Sequence, residues 1–209
     1  MALFAAWVGY YSYSHDKGDL LLFFNENRSY FLNEWNIFIT RWAEEFSYLA
    51  VGVFFLLFRK SRWAIAIAGL GLLVTIVSYA LKSSFEEPRP VKYFKIINEL
   101  CLLNPIPGVP EYLAHNSYPS GHTMSAFALF GFLSFISKRW SLSLVFVLLA
   151  ICIGLSRVYL NHHFIEDVGL GAVIGTLLGW VVYIVDERTR RPSSHWSESP
   201  LLKRKMTTL

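Results

Sequence analysis

Three short polar clusters interrupt an otherwise apolar sequence, at residues 82–90, 118–123 and 156–167. Their residue types suit phosphate chemistry. Lys82, Arg89 and Arg157 are cations without acids at matching spacing, a set that fits a phosphate group carrying about two negative charges. Taken singly, Lys82 and Arg89 could instead be interfacial residues with their charged ends in water. As a set, they predict a site for a phosphate-like anion.

The second cluster adds backbone donors to this prediction. Ser120 and Gly121 precede an apolar stretch where a helix is expected to begin, and free N–H groups at helix starts bind anions. Gly121 would let the backbone approach a ligand closely. Considered alone, Pro119, Ser120 and Gly121 could equally form a turn with a helix N-cap.

The third cluster and His122 supply acid–base groups. His163 and Asp167 are four residues apart and would share one face of a helix. The carboxylate would hold the imidazole in one tautomer and leave the other ring nitrogen free as a nucleophile. His122 is a second imidazole, placed to protonate a leaving oxygen. The combination predicts a phosphoryl-transfer site that needs no metal or other cofactor, with the neighbouring His162 in a structural role.

Apolar runs along the chain are expected to position these clusters. A membrane span needs about 20 mainly apolar residues. The run at residues 2–13 is about half a span, and it is either incomplete or continues through residues 20–24. The other runs lie at 46–58, 63–81, 120–136, 141–155 with its flanks, and 168–185. We predict an all-α bundle of six transmembrane helices over residues 1–187, followed by a polar tail at 188–209.

Composition and charge placement support a membrane protein. The 209 residues are 54% hydrophobic and 16% charged, whereas a soluble domain has about 25% charged residues. With six spans, the basic residues of the links at 59–62 and 138–139 and of the tail share the side of the N-terminus. The positive-inside rule makes that side the cytoplasm, so both termini are predicted to be cytoplasmic. The net charge of +4 then reflects topology, which argues against nucleic acid as a partner. The three polar clusters would share the opposite face.

The three motifs resemble the signature of the type 2 phosphatidic acid phosphatase superfamily, in order and in spacing. The matching residues are Lys82, Arg89 and Pro90, then Pro119, Ser120, Gly121 and His122, then Ser156, Arg157, His163 and Asp167. The resemblance implies that His163 attacks phosphorus and forms a phosphohistidine, with Asp167 orienting it. It implies that His122 protonates the leaving group and then activates water. The phosphoryl oxygens would be held by Lys82, Arg89, Ser120, Gly121 and Arg157.

The resemblance also implies a function. We expect an integral-membrane, metal-independent lipid phosphate or diphosphate phosphatase in a bacterial inner membrane, with its site facing the periplasm. Candidate substrates are undecaprenyl diphosphate, phosphatidylglycerol phosphate, phosphatidic acid and the phosphate of lipid A, and the sequence does not choose among them. A lipid phosphotransferase using the same residues is an alternative, and a non-enzymatic lipid-binding or transport protein is a more distant one. Tyr93, Phe94 and two tryptophans near the site are expected to anchor the protein at the membrane interface.

Overall fold

The computed structural model describes residues 1–189, which are helical with no strand in that part of the chain. The all-α prediction is confirmed. Most of the predicted tail, from residue 190 onward, lies outside the described residues. The helices are α1 (Ala2–Ser14), α2 (Asp19–Glu26), α3 (Tyr30–Thr40), α4 (Glu45–Phe58), α5 (Ser61–Ser84), α6 (Pro90–Ile96), α7 (Gly121–Ser137), α8 (Trp140–Tyr159) and α9 (Ile165–Thr189).

Three of the described helices, α5, α8 and α9, are long and apolar enough to cross a membrane. They are rich in Leu, Ile, Val and Ala, and residues 63–81, 141–155 and 168–185 contain no charged side chain. Helices α4 and α7 are apolar but shorter, with 14 and 17 residues. Each predicted apolar run therefore forms a helix, while the count of six spans stays a prediction.

Helix α7 occupies the centre of the bundle and packs against α5, α8 and α9. Its closest approach is to α9, where Gly171, Gly175 and Gly179 follow each other at four-residue intervals. A Cβ atom at Gly171 would lie 2.6 Å from the carbonyl oxygen of Ser120, and one at Gly179 would lie 2.6 Å from that of Ala128. The missing side chains allow backbone-to-backbone packing, which fixes the start of α7 against the start of α9.

The N-terminal helix is short and separate from the next one. Helix α1 ends at Ser14, the backbone is extended at His15, and Gly18 has a left-handed conformation before α2 begins. Of the two alternatives for the first helix, continuation through residues 20–24 is therefore wrong, because the polar segment at 15–18 ends the helix. Val8 packs against Gly169, and the Thr176 hydroxyl donates to the Met1 sulfur at 3.3 Å, so α1 lies antiparallel to the first half of α9.

The polar clusters lie at one end of the bundle, here called the site end, where α5 and α8 finish and α7 and α9 begin. Helices α2, α3 and α6 and the connecting segments cover this end, where the sequence predicted only loops. Phe94 of α6 is 2% exposed, and the Tyr93 ring meets the Phe164 ring at a centroid distance of 5.3 Å. Phe94 packs inside this cover, so the prediction that it anchors at the membrane interface is wrong, whereas Tyr93 is half-buried and its anchoring role stays a prediction.

Basic residues gather at the opposite end, here called the basic end. Arg62 forms ion pairs with Asp186 at 3.3 Å and Glu187 at 3.1 Å, which join the start of α5 to the end of α9. Lys60 and Lys138 line a small cavity with Glu187 at the same place. The links before α5 and before α8 thus share an end, as their charges predicted.

Candidate active site

The His163–Asp167 pair forms the buried centre of the site. His163 lies just before α9 and Asp167 lies in its first turn, and their side chains are 1% and 3% exposed. The His163 Nδ1 atom is 3.2 Å from Asp167 Oδ2. The Phe164 backbone N–H donates to the same oxygen at 2.9 Å. A proton on Nδ1 would be donated to this carboxylate and would leave Nε2 as the unprotonated nitrogen, which is the tautomer that the sequence analysis expects.

Ser117 is a third member of this centre that the sequence analysis missed. It is fully buried, its hydroxyl donates to Asp167 Oδ2, and its Oγ atom lies 3.4 Å from His163 Nδ1. Donation to an ionised acceptor is stronger than a bond between neutral groups and stabilises the carboxylate. Ser117 is 50 positions from Asp167 in sequence, so no local spacing could have indicated the contact.

Arg157 in the last turn of α8 is anchored from two sides. Its carbonyl oxygen accepts from the backbone N–H groups of His162 at 3.0 Å and His163 at 3.2 Å, which turns the chain back towards α9. Its Nη1 atom donates to the Thr40 hydroxyl at 2.7 Å. The Nε atom is buried and has no hydrogen-bond partner within residues 1–189. The guanidinium therefore keeps a donor available for a ligand.

Arg89 is held by the segment that leads into α7. It caps α6, and its backbone N–H donates to the carbonyl of Ala114 at 3.0 Å. Its Nε atom donates to Asn116 Oδ1 at 2.8 Å, and its Cζ atom lies 4.5 Å from the centre of the Tyr112 ring. Asn116 and Tyr112 were also missed, because only the tertiary fold brings them to Arg89.

The start of α7 joins the second motif to the other two. Ser120 is the N-cap, its Oγ atom accepts from the Thr123 backbone N–H at 3.4 Å, and its own N–H donates to the Asp167 carbonyl at 3.0 Å. The N-cap interpretation is thus confirmed, without excluding a ligand at the helix start. A Cβ atom at Gly121 would lie 3.3 Å from Lys82 Nζ and 2.9 Å from Ser78 Oγ. Gly121 therefore lets the Lys82 and Ser78 side chains lie close to the backbone at the start of α7.

A cavity of about 740 Å³ opens beside these residues, between α4, α5 and α7. Lys82, Gly121, His122 and Tyr112 line it. His163 lies behind this wall and is almost fully buried. The two histidines proposed for chemistry therefore differ in their exposure to the cavity: His122 lines it, whereas His163 is buried within the protein.

The electrostatic environment keeps His163 neutral. Burial, followed by the positive charges of Arg157, Arg89 and Lys82, lowers its pKa well below the ordinary value. All three predicted cations thus act on the same imidazole. The structure brings the eight predicted site residues to one end of the bundle. Hydrogen bonds join four of them, His163, Asp167, Ser120 and Arg157, and Lys82 packs beside Gly121.

Comparison with known proteins agrees with this geometry. The sequence profile described as the PAP2 superfamily matches residues 63–191, which include all three motifs. The chain belongs to this superfamily. It is 28% identical to a lipid A 4'-phosphatase of Bacteroides thetaiotaomicron over 79% of this chain and 75% of that protein. It is 26% identical to an undecaprenyl-diphosphatase of Sulfolobus acidocaldarius, again over 79% of this chain and 75% of that protein.

A solved structure supports the same assignment. The crystal structure of Aquifex aeolicus LpxE superposes with a TM-score of 0.66 and 27% identity, covering 79% of this chain and 93% of that one. The predicted family and the predicted enzyme class are therefore confirmed. The chain is a phosphatase of the membrane PAP2 family, whose relatives are named for lipid phosphates and diphosphates.

Proposed function

We propose that this protein hydrolyses lipid phosphates through a phosphohistidine formed on His163, without a metal ion. The observation that carries the proposal is the buried His163–Asp167 pair, whose Nδ1 side is occupied while its ring is surrounded by Lys82, Arg89 and Arg157. A neutral imidazole with a fixed tautomer is a nucleophile, and three cations beside it suit the charge of a phosphoryl group.

In the first step, the Nε2 lone pair of His163 attacks phosphorus and the bond from phosphorus to the lipid oxygen breaks. The transferring phosphoryl group carries charge on its equatorial oxygens, which the three cations and the first amides of α7 would stabilise. The anionic substrate favours the protonated form of His122, which gives its proton to the leaving oxygen. The lipid alcohol then departs.

In the second step, His122 takes a proton from water and the water oxygen attacks the phosphohistidine. The bond between phosphorus and nitrogen breaks, inorganic phosphate leaves, and His163 returns to its neutral form. Asp167 stabilises the positive imidazole ring during both steps, because its carboxylate stays within hydrogen-bond distance of Nδ1. The two steps consume only the lipid phosphate and one water molecule, and both histidines return to their starting protonation states.

The proposal places the site end at the periplasmic face of a bacterial inner membrane and both termini in the cytoplasm. It counts α1, α4, α5, α7, α8 and α9 as the six spans. Basic residues at the opposite end support this orientation through the positive-inside rule. The proposed substrates are undecaprenyl diphosphate, phosphatidylglycerol phosphate, phosphatidic acid and lipid A phosphate, each of which keeps its chain in the bilayer while its phosphate reaches the site.

The test is phosphate release by purified protein in detergent with this panel of lipids. His163→Ala should lower release by more than a thousandfold, whereas His115→Ala, at an exposed position, should change it less than twofold. EDTA should have no effect. Retained activity in His163→Ala would refute the nucleophile, and appearance of the phosphate on a second lipid would assign phosphotransfer in place of hydrolysis.

A further inference from the structure

We propose that the leaving group of this enzyme is a neutral alcohol, so that lipid phosphate monoesters are preferred over lipid diphosphates. The inference rests on the proposed function and narrows its substrate class. It concerns the side of the site that receives the leaving group, and its basis is the charge of the side chains there.

The 740 Å³ cavity is the space into which the leaving group departs. In-line displacement places the leaving oxygen opposite the nucleophile. His163 is 1% exposed at the back of the site, whereas the proton donor His122 lines the cavity. A leaving oxygen that takes its proton from His122 must therefore lie at the cavity side. Whatever is attached to that oxygen extends into the cavity.

Few positively charged side chains line the cavity that would receive the leaving group. Of the described residues that line it, Lys82 and Glu44 are the two with charged side chains, besides the titratable His122. Lys82 lies against Gly121 at the start of α7, where the transferring phosphoryl group would bind. Arg89 and Arg157 are not part of the lining; Arg89 donates to Asn116 and Arg157 donates to Thr40.

Glu44 is fixed at the cavity by the segment that joins α3 to α4. Thr40 in this segment accepts from Arg157, and the carbonyl of Ala43 accepts from the Ser125 hydroxyl at 2.8 Å. These contacts attach the segment to α8 and to the second turn of α7. Glu44 is the N-cap residue before α4 and has an exposed side chain, and no hydrogen bond or ion pair engages its carboxylate among the residues described. Within this part of the chain, its carboxylate therefore has no partner at hydrogen-bond or ion-pair distance, and its charge acts at longer range on Arg157.

This arrangement distinguishes the two substrate classes. Attack on the terminal phosphorus of a lipid diphosphate releases a lipid monophosphate, an anion that would enter the cavity lined by the Glu44 carboxylate. Attack on a monoester releases an alcohol, which is neutral after His122 has protonated it. Like charges in a partly apolar space repel more strongly than in water. Glu44 therefore acts as a specificity-determining residue, in favour of the monoester.

The experiment compares two substrates with the same tail, dioleoyl phosphatidic acid and dioleoylglycerol diphosphate, in the same mixed micelles. We expect kcat/KM to be at least tenfold higher for the monoester. Glu44→Gln keeps the shape of the side chain and removes its charge, and should raise the ratio of diphosphate to monoester activity at least fivefold. The control Glu34→Gln removes an exposed charge from α3, outside the cavity, and should leave the ratio unchanged.

The possible results distinguish failure of this inference from failure of the proposed function. A diphosphate preference in the wild-type protein would overturn the inference and leave the proposed phosphatase intact. An unchanged ratio in Glu44→Gln would refute the role of Glu44. Release of phosphate from neither lipid, nor from the other proposed substrates, would instead remove the proposed function on which the inference depends.

Discussion

Ser117 contacts both His163 and Asp167 of the third motif through one hydroxyl group. It lies in the segment that enters α7, and it donates to the carboxylate that orients His163. Its backbone N–H donates to the Glu87 carbonyl at 3.1 Å, which ties the same segment to the chain before α6. Ser117 contacts no predicted phosphate ligand directly, so we regard it as a positioning residue for the nucleophile.

Substitution of Ser117 tests this role. Ser117→Ala removes a hydrogen bond to a charged, buried acceptor, which contributes about 1.5–3 kcal/mol. We expect kcat to fall about 10- to 100-fold with KM within about threefold, because the phosphate ligands are unchanged. Ser117→Thr restores the hydroxyl and should recover part of kcat. The control is Ser143→Ala, whose half-buried hydroxyl, near the start of α8 at the basic end, donates to the Ser134 carbonyl. A fall in kcat for the control as large as for Ser117→Ala would contradict the positioning role.

The environment of His163 predicts the acid limb of the pH profile. Its lowered pKa keeps the nucleophile neutral below the ordinary histidine value of about 6.5. The acid limb of kcat/KM should therefore have its midpoint below pH 6.5. Lys82→Met removes one of the cations that lower the pKa, so the pKa of His163 should rise and the limb should move to higher pH. Ionisation of the substrate is common to both profiles and cancels in the comparison. Coincident limbs in the two proteins would contradict the assignment.

The residues proposed for the chemistry could be predicted from the sequence, whereas the residues that bind and orient them could not. His163 and Asp167 are four residues apart on one helical turn, a spacing that can be seen without a structure. Asn116 is 27 positions from Arg89, and Thr40 is 117 positions from Arg157. Contacts over such separations depend on how the helices pack, and neither Asn116 nor Thr40 belongs to a recognisable local pattern.

At the scale of elements, the glycines of α9 determine how its first turn meets α7. A Cβ atom at Gly175 would overlap the carbonyl group of Met124, which is backbone and cannot move aside independently. Any larger residue would push α9 away from α7. The same displacement would separate Asp167 from the Ser120 N–H that donates to its carbonyl.

Gly175→Ala should therefore lower stability by about 1–3 kcal/mol through overpacking. The measurement is the thermal unfolding midpoint in detergent, with phosphatase activity followed in parallel, and both should fall. Gly69→Ala is the matched control within α5, because a Cβ there meets nothing within 4 Å. Alanine is favoured over glycine inside a helix by about 1 kcal/mol, so the control should be equally or more stable than the wild type. Equal midpoints for the two variants would contradict this account.

A helix could be predicted from the sequence where a single requirement, an apolar run long enough to cross a bilayer, determines the whole segment. Helices α5, α8 and α9 are continuous apolar runs of the length that a bilayer demands, and the sequence located each of them to within a few residues. Helices α2, α3 and α6 contain both polar and aromatic residues, because one side of each helix covers the site and its opposite side does not. Such segments have no single hydrophobic period, and the sequence analysis treated them as loops.

At the scale of the whole molecule, the distribution of basic residues and the position of the site give one orientation. Lys60 and Lys138 lie at the basic end, and the three polar clusters lie at the site end. If the basic end is cytoplasmic, a phosphate headgroup reaches the site from the opposite aqueous side. The orientation of the chain thus decides which pool of lipid the enzyme can use.

The two cysteines of the chain allow a direct test of this orientation. Cys101 is exposed in a short turn, Leu100–Leu102, at the site end. Cys152 is exposed on α8, within a run that would lie in the hydrocarbon region. A membrane-impermeant maleimide should therefore label wild-type protein in intact spheroplasts at Cys101, and Cys101→Ser should abolish labelling. In the Cys101→Ser background, Lys138→Cys adds a thiol at the basic end, which should react only after the membrane is permeabilised. Labelling of Lys138→Cys in intact spheroplasts, with protection of Cys101, would place the active site at the cytoplasmic face and reverse the proposed topology.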